Sequence, residues 1–116
     1  MGLDMFLFDE NGNEIGYWRK ANQIHAWFVD NIQDGYDECD AYQVTKSDLK
    51  ILKNTCQEVL DDNTKAEELL PTRSGFFFGG TDYDDWYFDD LIDTIKICDS
   101  IIDNEDIKKI YYQSSW

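Results

Sequence analysis

The chain opens on a short apolar run, Leu3 to Phe8, followed at once by six polar residues, Asp9 to Glu14, with Asn11-Gly12 at their centre. Asn-Gly between apolar runs is a strong hairpin signal, because both residue types tolerate the positive φ that tight turns need. With Ile15 to Trp18 as the returning strand, Gly2 to Trp18 reads as a β-hairpin. From Ala21 the period changes. Ala21, Ile24, Phe28 and Ile32 share one helical face, and Gly35 is placed to end the helix. Tyr42 to Val44 suits a short extended piece. Leu49, Leu52, Cys56, Val59 and Leu60 then recur at helical spacing, predicting a second helix from roughly Ser47 to Leu60 capped by Thr45 or Ser47. Lys65 to Leu70 is expected to add another turn before Pro71 stops the pattern.

Phe76-Phe77-Phe78, bounded by Gly75 and Gly79-Gly80, suits a short strand covered on both faces. Thr81 or Asp82 is expected to cap a third long helix with apolar positions Phe88, Leu91, Ile92, Ile95, Cys98 and Ile102. Ile107 to Trp116 is rich in strand formers and reads as a final strand. The elements define an α+β fold: an N-terminal β-hairpin plus about three helices packed on a small, mainly antiparallel sheet. At 116 residues the chain is read as a single domain, 1–116, with room for one modest core.

Charge changes the picture of what such a domain can touch. Twenty-five acidic against ten basic residues give a formal charge of -15. That field repels nucleic acid and anionic membrane, and it steers the protein toward basic surfaces. The 42% hydrophobic and 16% aromatic content shows that the charge does not mean disorder. Cys39, Cys56 and Cys98 match no zinc or thioredoxin-like spacing. The start lacks a basic region and a long apolar run, so a cytosolic protein with reduced thiols is expected.

The stretch from Tyr17 to Asn31 concentrates candidate chemistry, with the only histidine, two of the four tryptophans and the Arg19-Lys20 pair. On a helical projection His25 falls toward the apolar side, one turn after Asn22. The bland reading is a core histidine with a satisfied hydrogen bond, beside basic residues paired with nearby acids. The functional reading is a small pocket in which Arg19, Asn22 and His25 hold an anionic or polar ligand and Tyr17 or Trp18 stacks on it. A nucleophilic pair of His25 with Cys39, oriented by Asn22 or Asp30, is close to chance in a chain this short. Asp9-x-Asn11-x-Asn13 spaces oxygen ligands by two but fails as a calcium loop. Its glycine falls at the fourth position instead of the sixth, and Lys20 occupies the twelfth. No cofactor or metal motif is present, which leans away from an enzyme.

The strongest electrostatic signal lies after Gly80. Asp85, Asp89 and Asp93 stand four apart, with Asp82 and Asp90 nearby. Between Thr81 and Asp106 ten acids face a single base, Lys96. Like charges at that spacing cost a few tenths of a kcal/mol each. The bland reading is a well-solvated face. The sharper one is a partner-binding surface of Asp82, Asp85, Trp86, Asp89, Asp90 and Asp93, with the aromatic as anchor. One carboxylate per helical turn, about 5–6 Å, is sparse beside duplex DNA at about 1.7 Å per charge. Imitating nucleic acid would need the loops Asp34 to Asp40 and Asp61 to Glu68 alongside.

Several stretches, Met1-Gly2-Leu3-Asp4-Met5, Tyr17-Trp18-Arg19-Lys20-Ala21-Asn22 with Ile24-His25 and Trp27-Phe28, Phe76-Phe77-Phe78-Gly79 and the ending Tyr111-Tyr112-Gln113-Ser114-Ser115-Trp116, carry a resemblance that runs from end to end. Together they resemble a family of small uncharacterised proteins of bacteriophages and bacteria. The resemblance implies a phage or prophage accessory protein in the host cytosol and supplies no activity. Two readings follow. The first is an acidic modulator of a basic host protein that handles nucleic acid or serves in defence, as some inhibitors of CRISPR-type nucleases do. The second is a small-ligand or nucleotide-binding protein, a hydrolase included, with its pocket near Arg19, Asn22 and His25.

Overall fold

In the computed structural model, which describes residues 2–73 and 82–116, the hairpin forms from β1 (Asp4–Asp9) and β2 (Glu14–Arg19). Its turn is tied by the Asp9 carboxylate, which accepts from the amides of Asn11 and Asn13 at 2.9 Å each. Gly12 takes the positive φ of 81°. The loop is wider than a two-residue turn, and the pairing slips between Leu7 and Phe8 as a result.

Helix α1 (Asn22–Asn31) follows directly. It starts one residue later than Ala21 and ends before Gly35. The closing turn is carried instead by Asp34 and Gly35, both at positive φ, with the Gly35 amide reaching the Val29 carbonyl at 2.8 Å. β3 (Tyr42–Val44) leads into α2 (Lys46–Asp61). Thr45 caps α2 in a reciprocal box with Asp48. The turn expected near Lys65 is a 3-10 turn, Asn63–Lys65, running into the short α3 (Ala66–Leu69). The expected strand at Phe76 to Phe78 lies outside the described residues, as does Thr81.

The last helix, α4 (Asp85–Ile102), is capped by neither Thr81 nor Asp82. Asp84 is the cap, its carboxylate accepting from the Tyr87 amide at 3.1 Å. Asp82, Asp84 and Asp85 compete for this role. Only one at the third position before Tyr87 can reach that orphan amide. β4 (Ile110–Ser115) closes the chain and inserts between β1 and β3 in an all-antiparallel sheet of order β2-β1-β4-β3.

One face of the sheet is buried. Met5 and Leu7 of β1, Trp18 of β2 and Ile110 and Tyr112 of β4 meet Phe28 of α1 and Leu91, Cys98 and Ile101 of α4 in one cluster. Phe28 stacks on Tyr112 with ring centroids 3.8 Å apart. Gly16 lets α4 approach β2, since a Cβ there would stand 2.8 Å from the Ile97 side chain. Helix α2 packs antiparallel on α4: Lys46 Nζ donates to the Asn104 carbonyl, and Lys53 pairs with Asp99. The other sheet face carries Phe6, Phe8, Tyr17 and Tyr111, with Phe6 and Tyr17 in cross-strand contact. No helix of the described residues is long and apolar enough to cross a membrane.

Candidate functional site

The hairpin joins α1 through a tight reversal. Lys20 takes a left-handed φ of 57°, rare for a residue with a Cβ, and the Asn22 amide donates back to the Lys20 carbonyl across Ala21. Ala21, at φ -82° and ψ 72°, is the centre of an inverse γ-turn. This bend begins where β2 ends at Arg19, still paired with Asp4, and turns the chain through Lys20 into the first turn of α1. Opposite stands the first turn of α4, held to the preceding chain by Tyr87, whose hydroxyl donates to the Leu70 carbonyl at 2.6 Å.

Between them lies a cleft of about 430 Å3. The β2–α1 junction contributes Arg19 and Lys20 as well as the side chains of Asn22 and Gln23. The α4 side contributes Asp82, Asp84, Trp86, Tyr87 and Asp90, and Thr72 completes the lining. Asn22 is anchored, its Oδ1 accepting from the Arg73 amide at 2.9 Å. Arg19 stands 3.8 Å from Asp4 and is largely exposed. Trp86 is 79% exposed, the most open large apolar side chain among the described residues.

Asp90 is the electrostatic centre of the cleft. Burial raises its carboxyl, Gln23 opposes, and the charges of Asp93, Asp89 and Asp84 add to the rise, so that it is pushed up to about 6. Gln23 is 2% exposed, yet its amide nitrogen reaches the Asp90 carboxylate and the Tyr87 carbonyl only at 3.3 Å each. Both distances lie beyond the usual range for such bonds. A half-buried carboxylate with one long donor is weakly compensated.

The residues singled out in the sequence divide between this cleft and other places. Arg19, Asn22, Asp82, Trp86 and Asp90 meet in it. Tyr17, Trp18 and His25 do not, which corrects the pocket expected from the sequence. Strand alternation sends Tyr17 to the outer sheet face, where its hydroxyl donates to Asp4 at 2.6 Å, and Trp18 inward, where its indole N–H donates to Thr94 at 2.8 Å. His25 is 1% exposed. Its Nδ1 shares a hydrogen bond with the buried Tyr112 hydroxyl at 2.7 Å, and its Nε2 shares one with the Asp37 carboxylate at 2.8 Å. Burial, outweighing Asp37, holds the imidazole below its ordinary value. Cys39 is exposed and is not bonded to His25. Asp85, Asp89 and Asp93 form an exposed stripe on α4 next to the cleft rather than within it.

Gln23, Thr72 and Asp84 are cleft residues that sequence reasoning did not single out as site residues. Gln23 projects away from the face of Ala21, Ile24, Phe28 and Ile32, so the sequence carried no signal for its burial, which follows from α1 being covered on almost every side. No group of three or more metal-binding side chains gathers among the described residues. No family model, curated protein or solved structure matches the chain.

Proposed function

We propose that the protein acts by binding a basic protein partner through the exposed acidic and aromatic surface at the start of α4. The observation that carries this reading is Trp86, 79% exposed in the midst of exposed Asp82, Asp85, Asp89 and Asp93. An open indole ringed by carboxylates suits a basic surface. The ring supplies contact area and attracts cations, and the acids steer the encounter. The family resemblance and the charge of -15 favour a phage accessory role in the host cytosol, with a nucleic-acid-binding or defence protein as target.

Part of the wider acidic surface supports this reading. Because α2 and α4 run antiparallel, Asp61 to Glu68 follows the end of α2 that lies toward Tyr87 and Leu70. The loop Asp34 to Asp40 is tethered elsewhere, through Asp37 to His25 and through Cys39 and Glu38 to β4. The arrangement favours a local basic patch over a full copy of a duplex.

Pull-down from host lysate at rising salt is the test. A specific partner should be retained by the parent, lost as salt rises and retained poorly by the Asp85→Asn, Asp89→Asn, Asp93→Asn triple variant or by Trp86→Ala. A partner held equally by parent and variants would sink the assignment of this surface.

A second reading is favoured by the cleft itself. Its volume lies in the range of small-molecule sites, about 300–1,000 Å3, and it collects Arg19, Asn22, Trp86 and Asp90 around one space. A small-ligand protein using this cleft is the alternative, without His25.

A further inference from the structure

Resting on the small-ligand reading of the cleft, we infer that its ligand carries both charges: a cationic amino acid such as arginine or lysine, with its carboxylate toward Arg19 and Lys20 and its side-chain cation against Asp90 and Trp86.

The lining is divided by sign. Both cations come from the β2–α1 junction, and the three carboxylates, Asp82, Asp84 and Asp90, come from the α4 side. A phosphate-bearing ligand would bring several negative charges toward those three carboxylates in a chain already at -15. A purely cationic ligand would leave Arg19 and Lys20 facing it. A molecule with one carboxylate and two cationic groups answers both walls, and its net +1 offsets the one-charge excess of acid in the lining.

The anionic wall is also built for a cation in detail. Trp86 and Asp90 are one turn apart on α4 and therefore share a face. A guanidinium held there meets an open indole on one side and a carboxylate on the other, the combination in which a cation gains from the ring as well as from the ion pair. Asp90 has spare capacity for it, since its one protein donor among the described residues is Gln23 at 3.3 Å. Arg19 is exposed and rests against Asp4 at 3.8 Å and beside the Tyr17 hydroxyl, and its long side chain can turn a planar fork from these surface contacts to the ligand carboxylate. Free amino acids and chains ending in a basic residue present the same pair of groups.

Isothermal titration of the full chain with L-arginine and L-lysine tests the inference. Agmatine, which lacks the carboxylate, inorganic phosphate and ATP serve as contrasting probes. A peptide ending in arginine and its amidated form separate the two sources. Saturable arginine or lysine binding is expected, at least tenfold weaker in Asp90→Asn and in Trp86→Ala. Arg19→Ala should weaken arginine binding without weakening that of agmatine, which has no carboxylate to lose. Trp86 is exposed, so its substitution tests the site even if the Asp90 variant misfolds; circular dichroism of both establishes the fold. Binding of phosphate or ATP with no response to arginine or lysine would overturn the ligand class and leave the small-ligand reading standing. No binding by any probe would overturn both. Arginine bound equally by the parent and both α4 variants would place it outside the cleft and overturn the assignment.

Discussion

Two polar regions flank the same core and differ in how well they are satisfied. Around His25 the bonds are short: one ring nitrogen meets the Tyr112 hydroxyl and the other the Asp37 carboxylate, while Trp18 donates to Thr94. Around Asp90 the bonds are long, the carboxylate is crowded by other aspartates, and the neighbouring Trp86 projects into solvent. A buried polar group with short partners stabilises one arrangement of the chain. A half-buried one without them is a cost that a bound cation can relieve. The difference marks the first region as architecture, in line with the core reading of the histidine, and supports the binding proposed for the second.

The comparison can be broken most forcefully from the architectural side. Phe28→Ala removes the ring stacked on Tyr112 and should cost about 3–5 kcal/mol. Chemical denaturation would register this as a large drop in midpoint. His25→Leu keeps bulk but strands the buried Tyr112 hydroxyl and should cost about 2 kcal/mol. It should leave the affinity of the cleft for its ligand unchanged, since His25 does not line it. A tenfold loss of affinity in that variant would erase the distinction between the regions.

Asp90→Asn should move stability the other way, by about 1 kcal/mol at neutral pH once partial exposure is discounted. The two regions should also carry opposite pH signatures. The His25 ring is held below its ordinary value of 6.5, so the unfolded chain takes up that proton first. Its contribution to stability is present above pH 6.5 and is lost as pH falls. Asp90 is raised from 3.8 to about 6, so the folded chain takes up that proton first. Its destabilising effect is full above pH 6 and fades as pH falls through that value. Stability of Asp90→Asn should therefore decline more steeply than that of the parent between pH 6.5 and 5, and His25→Leu should decline less. Equal slopes in denaturation curves across that range would contradict the contrast.

The smallest effect belongs to the exposed stripe. Replacing Asp85, Asp89 and Asp93 with Asn relieves two like-charge contacts one turn apart and should raise stability by only a few tenths of a kcal/mol. A thermal melt should show little change while partner binding falls, which separates this surface from both buried regions.

Much of the architecture was legible because it rests on local pattern. The hairpin followed from Asn11-Gly12 between apolar runs, and α2 followed from its apolar spacing and Thr45. The cap of α4 was misplaced because Asp82, Asp84 and Asp85 carry the same side chain and differ only in reach to the Tyr87 amide. The candidate site was half legible for a related reason. Arg19 and Asn22 were identified on one side and Trp86 and Asp90 on the other, as parts of two separate hypotheses. Sixty-seven positions separate Gln23 from Asp90, and nothing in either neighbourhood announces the other.

By itself the sequence determined the element types, the strong acidic field and the residues able to bind a cation or an anion, since these depend on periodicity, composition and side-chain chemistry. Only the tertiary structure decided that β4 inserts between β1 and β3, that His25 is closed off by Tyr112 and Asp37, and that the start of α4 faces the β2–α1 bend across a cleft. Those outcomes depend on long-range packing, which burial of the shared apolar face enforces and local pattern does not encode.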